Sequence, residues 1–149
     1  MKPDGLLRRM AIALAMAVVI YAIGYFWIEH LRARHGPWRV TFTNDVARTP
    51  MLLINQPRLA ITNFEIIFRG AILPTNAALE YTFDGPRPVP YQVPFGKCLF
   101  MDTTFLPGTI AFDLFGHEIQ LLPRVLTIDK KEQAWQPNLT IALPVANQP

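Results

Sequence analysis

The chain of 149 residues is 51% hydrophobic and only 17% charged, which fits one domain with enough apolar excess for part of it to lie in lipid. Its formal net charge of +3 is confined to residues 1–35, because from Gly36 onward nine basic residues face nine acidic ones. A neutral domain lacks the clustered basic surface that a phosphate backbone requires, so nucleic acid is excluded as an expected partner.

The most N-terminal feature is an uninterrupted apolar run, Met10 to Ile28, free of charge, proline, Asn, Gln, Ser and Thr. Nineteen residues at about 1.5 Å each give a helix of roughly 28 Å, close to the hydrocarbon thickness of a bilayer. A core helix of a globular domain carries a polar stripe, and this run has none. Lys2, Arg8 and Arg9 precede it, while Tyr21, Tyr25, Phe26 and Trp27 gather at its far end, where amphipathic rings favour the headgroup level. The pattern predicts one transmembrane helix, with membrane lipids as its partner.

A cleaved signal peptide is the rival reading, because Ala22-Ile23-Gly24 offers the small residues a peptidase needs; against it, the apolar run continues through Tyr25-Phe26-Trp27-Ile28. Arg8-Arg9 fails the wider twin-arginine pattern. Ala11 and Ala15, and Ala13 and Ala17, stand four apart and would let helices approach closely, but alanine is common in spans and does not by itself specify pairing. A short basic tail is easily retained in the cytoplasm, so the expected orientation is N-terminus inside and C-terminal domain outside, with residues 1–35 forming tail, span and juxtamembrane linker.

Glu29 to His35 is the polar exit of the helix, and Gly36-Pro37 ends it, since proline cannot donate to the helix ladder. His30 and His35, beside Arg32 and Arg34, suit a headgroup-facing role better than metal binding. Residues 36–149 hold 13 of the 14 prolines, with apolar runs between them, which argues against both long helices and disorder.

Trp38 to Thr43 alternates apolar and polar, as a half-buried strand does. Further short runs follow about every ten residues: Met51 to Ile54, Leu59 to Ile61, Phe64 to Phe68, Leu79 to Phe83, Cys98 to Met101, Ile110 to Leu114, Ile119 to Leu122, Val125 to Ile128 and Leu139 to Leu143. Asp84-Gly85-Pro86 marks a turn, and Phe115-Gly116 should close a hairpin over Thr109 to Leu122. Eight to ten short strands predict an all-β domain, an antiparallel β-sandwich, with a partly closed β-barrel as the alternative. The expected core is Phe42, Ile61, Phe68, Tyr81, Phe83, Phe100, Phe112, Ile119, Leu121 and Ile141.

No catalytic, cofactor or metal motif emerges. Asp113, His117 and Glu118 form the densest cluster, but Gly116-His117-Glu118 reads first as a polar hairpin tip in water, with no second His and no Cys pair nearby to complete a ligand set. The chain has no serine, which excludes a serine hydrolase. Cys98, the sole cysteine, forbids an internal disulfide and is expected to pack as a small apolar residue. Asn138-Leu139-Thr140 matches the glycosylation acceptor, a triplet common by chance.

Two functions are then in play. The first is a non-enzymatic, membrane-anchored binding or scaffold module, or a small subunit of a membrane complex, whose strand edges or loops meet another membrane or envelope protein. The second is a ligand-binding or carboxylate-dependent hydrolytic domain acting on a carbohydrate, with Asp102, Asp113 and Glu118 as suspects.

Overall fold

The computed structural model describes residues 3–72 and 78–145, so Lys2 of the N-terminal flank lies outside the described residues. The chain divides into two compact units, Met1–Arg34 and His35–Pro149.

The first unit is one helix, α1 (Pro3–Ala33), longer than the apolar run because the flanking Leu6, Leu7 and Leu31 turns continue it. Its large apolar side chains, from Leu6 to Leu31, are exposed. Among the described residues it is the one helix long and apolar enough to cross a membrane.

The second unit is almost entirely β: β1 (Trp38–Asn44), β2 (Pro50–Gln56), β3 (Ile61–Arg69), β4 (Leu79–Phe83), β5 (Tyr91–Val93), β6 (Gly96–Asp102), β7 (Thr109–Leu114), β8 (His117–Leu121), β9 (Leu126–Ile128), β10 (Lys131–Gln133) and β11 (Thr140–Pro144). They form a five-stranded sheet in the order β11-β3-β2-β1-β4 and a six-stranded sheet in the order β10-β9-β8-β7-β6-β5. Neither order closes on itself, so the arrangement is sandwich-like and not a barrel.

Alternation along each strand explains the layering. In β1, Trp38, Val40 and Phe42 point inward and are buried, while Arg39 is exposed. In β8 the inward set is His117, Ile119 and Leu121. Phe42 meets Phe112 of the opposite sheet edge-on at 6.1 Å, and Phe83 meets the same ring at 5.6 Å. Such edge-to-face packing adds to area burial. At the chain-entry end Trp135, between β10 and β11, lies 5.3 Å from Trp38 and 4.9 Å from Phe64, and its indole donates to the Leu122 carbonyl at 2.8 Å. There too Gln56, buried, donates to the carbonyls of Gly36 and Pro37, which fixes the start of the sandwich.

Several expectations change. Leu59 to Ile61 is not a strand: Pro57–Leu59 forms a 3-10 turn, and Ile61 opens β3. The short strands β5 and β10 lack the apolar runs by which a strand is read from sequence. The sandwich is not wholly antiparallel, because β11 pairs in parallel with β3, with Ile141 beside Ile66. Of the ten expected core residues, Tyr81 and Ile141 are only partly buried, and Phe100 is 50% exposed. Its displacement has a local cause: Cys98 pairs with Phe112 but Phe100 pairs with Ala111, so Leu99 is the extra residue of a β-bulge. Cys98, before the bulge, keeps its inward place and is fully buried.

Candidate functional site

The bulge in β6 turns two consecutive apolar side chains outward, Leu99 (42% exposed) and Phe100 (50% exposed), on the outer face of the six-stranded sheet. Beside them runs a row of charge set by the pairing register. Lys97 of β6 opposes Asp113 of β7, which opposes Glu118 of β8. Beyond Glu118 the β9–β10 turn brings in Asp129, whose amide donates to the Glu118 carbonyl at 2.8 Å and whose Oδ1 accepts from the Glu118 amide at 3.0 Å. Leu99, Asp113, Gly116, Glu118, Asp129 and Lys130 line one open cleft of about 340 Å³.

The hairpin forms as its sequence predicts, but its tip is Phe115-Gly116, both at positive φ (50° and 82°), as a two-residue turn following the strand twist demands. His117 is therefore not an exposed tip residue, and that expectation is corrected. It opposes Leu114 as the first residue of β8, and parity with Ile119 and Leu121 sends it inward, where it is 8% exposed. There Nδ1 lies 2.6 Å from Asp129 Oδ2 and Nε2 lies 2.5 Å from the Pro144 carbonyl oxygen of β11, with the Phe68 ring 6.5 Å away. With both nitrogens engaged, His117 has no free lone pair to serve as a general base or metal ligand.

The three suspected carboxylates do not converge. Asp113 and Glu118 share the cleft as cross-strand partners, side chains about 5 Å apart at Cβ for such a pair. Asp102 belongs to the other end of β6, where its carboxylate accepts the Thr104 amide at 3.0 Å. That backbone hydrogen bond, with one from the Thr104 side chain, holds its carboxyl below the usual value. Among the described residues no group of three or more His, Cys, Asp or Glu side chains is placed to hold a metal ion.

Cys98 is sealed from chemistry. Burial pushes its thiol up, and its Sγ donates to the Phe100 carbonyl at 3.6 Å across the bulge. The neighbouring Tyr91 phenol is also pushed up, first by burial and then by Cys98, while Arg87 stacks over the Tyr91 ring at 4.2 Å. Asn138 of the glycosylation triplet sits at positive φ in the turn before β11, where its Oδ1 accepts from Asn63 at 3.3 Å.

Sequence reasoning missed the Leu99–Phe100 patch and the His117–Asp129 pair. The patch depends on a bulge, and strict alternation from Cys98 would have buried Phe100. The pair joins residues 12 apart through a turn at Asp129-Lys130, both at positive φ, which leaves no spacing signal. No known protein family matches the chain, and neither a curated protein nor a solved structure does.

Proposed function

We propose that this is a membrane-anchored, non-enzymatic binding module: α1 spans the bilayer, with membrane lipids around it and its N-terminus in the cytoplasm. The β-sandwich stands outside the membrane and docks another membrane or envelope protein through the outer face of its six-stranded sheet. The carrying observation is the Leu99–Phe100 pair, two large apolar side chains turned to water by a bulge next to a row of carboxylates. Bulges re-aim side chains at functional places, and apolar anchors rimmed by polar groups are what protein interfaces use. Exposure of the apolar α1 surface supports the anchor, since that surface is stable in hydrocarbon and not in water.

Two measurements test it. The protein is expected to remain in the membrane pellet after carbonate extraction, and a Val18→Arg change, at about 2.5–3.5 kcal/mol for a charge at the helix centre, should shift a large fraction to the supernatant. Release of the parent protein by carbonate would refute the anchor. A photo-crosslinking residue at position 100 should give a discrete product in native membranes, lost on Leu99→Asp and absent with the crosslinker at Thr43 on the other sheet. Equal labelling from both positions would refute the docking face.

A carbohydrate ligand is the second reading, and the observation in its favour is the Asp113–Glu118 pair within one cleft. On that reading Asp113→Asn abolishes oligosaccharide binding and leaves the position 100 crosslink intact.

A further inference from the structure

The C-terminal strand β11 is the outer strand of the five-stranded sheet, and its Pro144 suits an edge, where no ladder donor is needed. Backbone bonds join it to β3, from Leu139, whose carbonyl accepts the Glu65 amide at 2.9 Å, to Val145, whose amide donates to the Arg69 carbonyl at 2.8 Å. Thr140 Oγ1 adds a bond to Glu65 Oε2 at 3.1 Å. From the opposite sheet His117 reaches over to hold the end of β11 through the Pro144 carbonyl.

Both partners of the His117 ring are acceptors: a backbone carbonyl at Nε2 and a carboxylate at Nδ1. Carbonyl and carboxylate oxygens donate nothing, so both ring nitrogens must carry hydrogen, and only the imidazolium does. We propose that His117 is a proton-loaded latch, which as the imidazolium staples β11 to the six-stranded sheet and on losing its proton lets β11 leave the edge of β3. Release bares the unpaired backbone groups of β3, a template for strand addition. The latch does not depend on what docks at Leu99 and Phe100.

The surroundings favour the charged form. Burial opposes it, but the Pro144 carbonyl, the Asp129 hydrogen bond and the charges of Asp129 and Asp113 outweigh burial and hold His117 above its ordinary 6.5. Asp129 answers in the opposite direction: burial would raise it, yet the bonds from His117 and the Glu118 amide, with the charges of His117 and Lys131, hold it below the usual carboxylate value. Glu118 lies next to His117 on β8, Lys130 follows Asp129 in the turn, and from the other sheet Arg69 pairs with Pro144. Because the folded pKa of His117 is raised, the latch contributes fully below about 6.5 and is lost as pH rises through that raised value. At the acid end it survives until pH falls through the depressed value of Asp129.

Deuterium uptake by the peptide 138–145 of the full-length protein in detergent micelles, corrected for the intrinsic pH dependence of exchange, tests this. Protection of that peptide is expected to fall at least tenfold between pH 5.5 and pH 9, with a midpoint above 6.5, while a peptide containing Phe112 stays protected. In His117→Gln, whose two amide hydrogens share one nitrogen and cannot span acceptors held at the two separate ring nitrogens, the peptide should be weakly protected at every pH. In Asp129→Asn the midpoint should drop by on the order of one pH unit. Flat protection of the wild-type peptide across this range would overturn the latch, as would a wild-type pH response in His117→Gln. Should His117→Gln also lose protection at Phe112, an unmoved midpoint in Asp129→Asn overturns it.

Discussion

Replacing Phe112 by alanine is expected to destabilise the sandwich by about 3–5 kcal/mol, the range for removing a fully buried aromatic ring. Phe112 is completely buried at the centre of β7 and meets both Phe42 and Phe83 of the facing sheet. Truncation therefore removes the transfer energy of the ring and leaves a cavity that two sheets, each tied by its own ladder, cannot fully collapse to fill. With whole-domain stability of about 5–15 kcal/mol, such a loss is a large fraction of the total. Trp38 and Trp135, both in the sandwich core region, report unfolding by fluorescence, and the urea midpoint of the full-length protein in micelles should fall by about 2 M. Val46→Ala, at a fully exposed loop position, should stay within about 0.5 kcal/mol of the parent. Equal midpoints for Phe112→Ala and Val46→Ala would show that the two sheets do not share this core.

Gly108→Ala is expected to cost about 3 kcal/mol or more, although it adds a single methyl group, because two penalties coincide. Gly108 has φ of +73°, where an L side chain is strained, and a Cβ there would lie 1.9 Å from the Asp102 carbonyl oxygen. That oxygen belongs to backbone at the end of β6, so it cannot swing aside as a flexible side chain would. The Gly108 carbonyl also accepts the Trp38 indole at 3.0 Å, a tie between the two sheets that any shift of the loop would break. A fall of about 10 °C in melting temperature is expected, together with a change in the near-ultraviolet circular dichroism of tryptophan. Gly85→Ala, at negative φ with open space around the new methyl, serves as the control and should melt close to the parent. A Gly108→Ala protein melting within about 2 °C of the parent would rule out the tight approach of the β6–β7 loop.

Local pattern determined a large part of this protein. The apolar run from Met10 to Ile28 lies inside α1, because a helix that is apolar all round needs no partner to be recognised. Trp38, Val40 and Phe42 took the inward face of β1, and the β7–β8 hairpin closed at Phe115-Gly116, because strand alternation and turn chemistry act over a few residues. Tertiary structure alone decided the remainder. Whether Phe100 joined Cys98 on the inward face turned on one extra residue in β6, and a one-residue shift exchanges the faces of a strand at no cost visible in composition. The parallel seat of β11 beside β3 joins residues 75 apart, a pairing that no local signal encodes. His117 reads as a surface residue in sequence because its acceptors, Asp129 and the Pro144 carbonyl, lie 12 and 27 residues away, and only the packing of the two sheets brings them to its ring.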